Sequence, residues 1–307
     1  MLYVISQKIL LALITVLVII ILSGILIHMV PGDPVTAMMA QSTMATPGAI
    51  AEMRSRLGLD LPVWQQVGLY TWHVLQGDLG TTIRGNEPVL TLLMRRLPNT
   101  FMLAVSGLTL ALLIGIPLGL LAAVNRAHIA DKAIMSVAAF GVSFPVFWLG
   151  MIMIQLFSLK LGWLPVAGSG WRNIILPALT LGLTYSALVA RITRSALVDV
   201  LDEDYIRTAR ARGLRERQVL FVHALRPALI NIVTVIGLVF AYLLGGQVII
   251  ENVFSWNGIG RLAVQAMLER DYPMIQGFIV VFATSVVAVT VIIDVLYTYL
   301  DPRMSVR

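Results

Sequence analysis

Residues 199–227 read DVLDEDYIRTARARGLRERQVLFVHALRP. This is the one long polar interruption between apolar runs that carries a helical pattern of its own. Asp202 is placed to cap a helix start, and Glu203 and Asp204 put negative charge beside the free N–H groups of the first turn. Glu203 and Arg207 stand four apart, in the order that favours an ion pair. Tyr205, Ile206 and Ala209 gather on one face, and Arg207, Arg210 and Arg212 supply the cationic remainder. Gly213 falls where a left-handed residue would end the helix. A second amphipathic run, 215–225, follows and is expected to stop at Pro227, which has no N–H to give the preceding turn. A short helix, a glycine turn and another helix between two apolar runs are shaped to be gripped by another protein.

The surrounding composition sets the medium. Of 307 residues, 58% are hydrophobic and 12% charged, and the mean hydropathy is +0.88. That excludes an ordinary water-soluble domain and indicates a polytopic membrane protein. There is no Cys, which removes disulfides and thiolate chemistry together. The net charge of +6 is not read as nucleic-acid affinity, because the basic residues cluster beside apolar runs, as the positive-inside rule requires.

In chain order, 9–30 is an apolar run long enough to cross about 30 Å of hydrocarbon. Lys8 before it places the N-terminus in the cytoplasm, and the run is too long for a signal peptide. Residues 31–97 form an extracytoplasmic segment, with a short helix over 47–57 ending at Gly58 and Trp64, Tyr70 and Trp72 packing at the interface. Further spans are expected over 100–124, 133–158, 174–190, 228–250 and 276–298. Gly115 and Gly119, with Pro117 between them, give the second span a face for close helix approach. The loop 251–273 is too polar to cross and reads as a short helix at the outer surface. The domain reading is thus a first span (1–30), the extracytoplasmic segment (31–97), a five-helix core (98–298) and a cytoplasmic tail (299–307). Thirteen basic residues fall on the proposed cytoplasmic side and nine outside, five of the nine in the long first segment. In short loops the bias therefore favours six spans with both ends inside.

The wording YIRTARARGL…VHALRPAL is similar to the cytoplasmic "EAA" loop of ABC importer permeases, and in particular to their dipeptide/oligopeptide branch. Arg207 and Thr208 stand where that family has its name-giving Glu and first Ala. His223 replaces an aliphatic residue, and Arg226 replaces a Pro. The phrases HMVPGDPV, LGLDLPVWQQ and QGDLGTT resemble the N-terminal module of the same branch, and ENVFSWNGIGRLAVQAMLERDYP its outer loop. The resemblance implies an all-α fold with six transmembrane helices, the type I ABC importer permease fold, in a bacterial inner membrane. It also implies a second, homologous permease, two ATPase subunits and an extracytoplasmic substrate-binding protein. ATP and Mg²⁺ would sit on the ATPases, with no cofactor on this chain. By the same resemblance Glu203, Asp204, Tyr205, Ile206, Arg207, Ala209, Arg210 and Gly213 form the coupling helix, with Tyr205, Ile206 and Ala209 entering an ATPase groove.

The residues themselves supply no reaction centre. There is no GxxxxGK[ST], HExxH or GxSxG, and no metal-spaced histidine pair. An enzymatic role is not expected. Polar residues inside the spans are pathway candidates, since each is costly unless partnered or facing water. For Ser106, Thr109, Ser136, Ser143, Thr180, Thr184, Ser186 and Thr234 the ordinary reading is a bond back to their own helix or a helix–helix contact. Gln155, Asn231 and Gln247 are the candidates for lining a pore. Asp294 lies near a cytoplasmic helix end and reads as an interfacial partner, and Arg191 and Arg194 read as positive-inside anchors. The function expected is an ATP-driven importer's translocation subunit for short peptides. Nickel chelates, glutathione, opines and oligosaccharides are the alternatives within that class. A secondary transporter or channel is the rival outside it, and would show inverted repeats or several buried charges.

Overall fold

The computed structural model describes residues 2–29, 48, 60–83, 85–168 and 170–300. The helix expected over 47–57 (Gly48 apart) and the tail after 300 lie outside them. So do the side chains of His28 and Asn231. Among the described residues the chain is helical, apart from one isolated bridge between Thr81 and Pro88. The helices are α1 (Leu2–Met29), α2 (Val63–Leu75), α3 (Val89–Val124), α4 (Ile129–Val142) and α5 (Val146–Met153, prolonged by a π-helical stretch Ile154–Lys160). They continue with α6 (Ile175–Leu201), α7 (Asp204–Ala211), α8 (Glu216–Gln218, prolonged by a π-helical stretch Val219–Ala224), α9 (Leu225–Val253), α10 (Ile259–Glu269) and α11 (Tyr272–Leu300).

Two compact units result, Met1–Pro98 with Gly258–Val291 and Asn99–Asn257 with Ile292–Arg307. In the first, α2 lies against α1 because Gly24 leaves room for Tyr70: a Cβ there would stand 3.0 Å from the ring. Ser23 meets the Tyr70 hydroxyl at 3.2 Å, and its carbonyl accepts from Gln276 of α11 at 3.1 Å. Asp271 caps α11 by accepting from the Met274 N–H (3.2 Å), while its other oxygen accepts from the Ile83 N–H (3.0 Å). The outer loop expected over 251–273 does contain a short helix, α10, with Ile259, Leu262, Ala263 and Ala266 as its buried face.

In the second unit α6 is central. A Cβ on Gly115 would meet the Ser186 carbonyl at 2.7 Å, and one on Gly119 the Ala190 carbonyl at 2.5 Å. The expected small-residue face is therefore the α3–α6 contact, where backbones approach closely enough for dispersion to hold them without a hydrophobic driving force.

Among the described residues four helices are each long and apolar enough to cross a membrane, and up to six spans result when each of two bent pairs is counted as one. The third expected span, 133–158, is not straight: α4 and α5 meet at 94°. Pro145 explains the break, since it disfavours a helical residue before it and gives no N–H to the turn. The fifth bends by 50° between Leu244 and Gln247, where Gly245 and Gly246 weaken the helix. The helix start at 216 agrees with the sequence reading, but Pro227 does not end the run. A π-helical stretch carries 219–224 directly into α9, with Pro227 inside the first turn, where its missing N–H is tolerated.

Candidate functional site

Helix α7 is set off from α6 by a two-residue break. Asp202 is not its N-cap: it is the C-cap of α6, and its carboxylate takes Arg126 Nη1 at 2.6 Å instead. Glu203 holds the extended N-cap position without a side-chain bond. Asp204 sits in the first turn, as the helix dipole favours, and it rather than Glu203 pairs with Arg207, at 3.4 Å.

The face expected to enter a partner is divided. Ile206 is 0% exposed and Ala209 7%, both inside a cluster with Ala123, Ala196, Leu197, Val219, Ala224, Ala228 and Ile232. They hold α7 to its own bundle. The reason is economy of apolar residues. An eight-residue helix cannot persist alone, and a single i, i+3 apolar pair suffices only for attachment. Full burial of one such side chain is worth about 1.5–3 kcal/mol. Tyr205, 45% exposed, stays at the rim, and Arg207, Thr208, Arg210, Ala211 and Arg212 face outward.

The helix ends as the sequence requires. Gly213 has φ +78°, the Gly213 N–H bonds the Arg210 carbonyl at 2.9 Å and the Leu214 N–H reaches the Ala209 carbonyl at 3.4 Å. These two bonds define a Schellman turn. Leu214 packs against the cluster that holds Ala209. Arg210 then crosses the turn to Glu216 at 2.8 Å. On the far side the Tyr205 hydroxyl donates to the His223 carbonyl at 3.4 Å. Burial, and secondarily the charge of Glu203, raise the pKa of this phenol above its usual value, which keeps the donor protonated.

A second anchorage lies where the sequence offered only anchoring arginines. Arg194 of α6 grips Asp131, in the first turn of α4, through Nε (2.5 Å) and Nη2 (2.7 Å). Asp131 is buried and also accepts the Ala127 N–H at 3.1 Å. No motif marks Asp131 in the sequence: it is a lone carboxylate just before the third expected span, and its arginine stands 63 residues further on.

Gln155 and Gln247, two of the three pathway candidates, stand in different surroundings. Gln155 is exposed on the π-helical stretch after α5, and Gln247 is 1% exposed inside its own unit, its amide without a partner among the described residues. The position of the Asn231 side chain is outside the described set. Six of the hydroxyls, Ser106, Thr109, Ser143, Thr180, Thr184 and Ser186, bond carbonyls of their own helices, and the side chain of Thr234 lies outside the described set. Glu251, placed by sequence in the outer loop, instead ends α9 fully buried and accepts from the Thr100 hydroxyl at 2.6 Å. Among the described residues no group of three His, Cys, Asp or Glu is placed to hold a metal. The α7 surface of guanidinium groups and one phenol is suited to recognition.

Comparison with known proteins gives this geometry its context. The family described as "Binding-protein-dependent transport system inner membrane component" matches residues 115–306, and its N-terminal companion matches residues 1–104. The chain is 42% identical over 294 residues, 95% of each protein, to the glutathione transport system permease protein GsiC of Salmonella typhimurium (strain LT2). It is 41% identical over the same length to that of Escherichia coli (strain K12). Its fold is similar to a chain of the MetNI methionine ABC transporter in an inward-facing conformation, with TM-score 0.59 at 21% identity, covering 68% of this chain and 96% of that one. The chain belongs to the binding-protein-dependent transport system inner membrane components, the inner-membrane permeases of ABC importers.

Proposed function

We propose that this permease is the translocation-pore subunit of an importer for short peptides, with glutathione the foremost candidate, and that α7 is its coupling helix. The observation that carries the coupling role is the division of α7 itself. Ile206 and Ala209 fasten it to the bundle, while Tyr205, Arg207, Thr208, Ala211 and Arg212 remain turned outward. A helix so fastened can pass a push on its outer face into α6 and α9. The substrate reading is supported by the names of its relatives, since glutathione is itself a short peptide.

In this reading two ATPase subunits bind and hydrolyse ATP with Mg²⁺, and the chain does no catalysis of its own. A homologous second permease completes the pore, a binding protein delivers substrate from outside, and lipid surrounds the spans. Both termini face the cytoplasm, as the distribution of basic residues favours. Glu203, Asp204 and Arg210 shape the coupling helix, and Gly213 ends it.

The test is uptake by the complex reconstituted in liposomes with its ATPases and binding protein. Labelled glutathione or a dipeptide should accumulate only with ATP, and the chain alone should not hydrolyse ATP. Accumulation driven by an ion gradient without ATP would contradict the reading.

A further inference from the structure

The loop between α3 and α4 and the first turn of α4 are tied to α6 at two points, one inside α6 and one at its C-cap, where α6 hands over to α7. At the first, Asp131 is buried and gripped by both arms of Arg194. Such a two-toothed guanidinium–carboxylate pair fixes direction as well as distance. At the second, Arg126 holds Asp202 at 2.6 Å, and Asp202 is followed directly by the N-cap of α7. Between them Ala127 takes φ +66°, a left-handed conformation unusual for alanine. Its N–H is spent on Asp131. A backbone held against its preference by surrounding contacts marks a site where geometry is fixed for a purpose.

We propose that these two pairs form a bracket that makes α4 move together with α6 and α7, Asp131 being the positioning residue. This rests on α7 being the docking element. Without the bracket, a push on α7 reaches α4 only through the packing of α4 against α6, which sets distance but allows the two helices to slide. Neither pair suffices alone: the buried Asp131–Arg194 pair fixes the direction of α4, and the Arg126–Asp202 pair, though more than half exposed and of little worth to stability, holds the other end at the start of α7.

The experiment measures substrate transported per ATP hydrolysed by the assembled complex in liposomes. Asp131→Asn and Arg194→Gln should each keep the ATPases bound and hydrolysing. Each should lower transport per ATP by roughly 5- to 150-fold, the usual span of coupling between sites. The double variant should fall no further than either single, as for residues acting through one contact. In parallel, Arg126→Cys with Asp202→Cys, in a chain that has no other Cys and with cysteine-free partners, should couple poorly. A short bis-maleimide should restore its coupling. Unchanged transport per ATP in assembled Asp131→Asn complexes would overturn the bracket. If that variant fails to assemble, the cysteine pair decides, and full coupling before cross-linking would overturn it. Loss of the ATPases from the cysteine-pair complex would also overturn it, by showing that the loop holds the docking surface instead of transmitting motion. Absence of ATPases from the wild-type complex would instead sink the reading of α7 itself.

Discussion

The hydroxyl of Tyr205 donates to the carbonyl of His223, the group that an N–H at 227 would bond in an unbroken α-helix and that Pro227 leaves without one. The aromatic residue of α7 thus supports the irregular entry into α9. Tyr205→Phe should lower stability by about 0.5–1.5 kcal/mol, nearer the lower bound because the bond is long. In a Pro227→Ala background the same substitution should have a smaller effect. Thermal unfolding of the four proteins in detergent gives the cycle, and equal effects in both backgrounds would refute the link.

Gly213 tests backbone conformation in isolation, since a Cβ there meets nothing within 4 Å. Any loss on substitution reports the left-handed φ of +78° alone. Gly213→Asn should be mildest, Gly213→Ala intermediate at roughly 1–2 kcal/mol and Gly213→Val worst. The same unfolding assay should return that order, with co-purification of the ATPases falling alongside it.

Two glycines of the second unit should respond with opposite signs to one substitution. At Gly119 an added Cβ would lie 2.6 Å from Thr193 Cβ, and at Gly141 it would meet nothing. Gly119→Ala must push α3 off α6 and should destabilise by about 1–3 kcal/mol. Gly141→Ala should stabilise α4 by up to about 1 kcal/mol. A Gly119→Ala melting point at or above that of the parent would show that the α3–α6 contact is looser than described.

Much of this was legible beforehand because bilayer and helix physics write directly into sequence. The apolar runs gave the helices, Gly115 and Gly119 gave a helix crossing, and Gly213 gave the end of α7. What misled was direction. Tyr205, Ile206 and Ala209 share a helical face, but periodicity cannot say whether that face meets the chain's own bundle or a partner. Pro227 read as a stop because a π-helical entry leaves no pattern that a 3.6-residue period would detect. Asp131 went unseen because an ion pair between α4 and α6 joins residues 63 apart. Gln247 reads from sequence as a pore-lining candidate, and its burial, with no partner for its amide among the described residues, was not foreseeable from its neighbours.

The proposed topology rests on the arginine bias. Reporter domains fused after Gly170 and after Asn257 should read as outside, and one fused after Leu214 as inside. A single reversal would break the six-span arrangement.

The central claim, that α7 meets the ATPase with its outward side, is tested most directly by site-specific cross-linking in the assembled complex. Because the chain has no Cys, Arg212→Cys and Ala209→Cys each introduce one reactive point, one exposed and one buried under α7. A thiol cross-linker should join Arg212→Cys to the ATPase subunit and leave Ala209→Cys unjoined. Efficient joining through Ala209→Cys with none through Arg212→Cys would mean that the helix docks by the face placed here inside its own bundle.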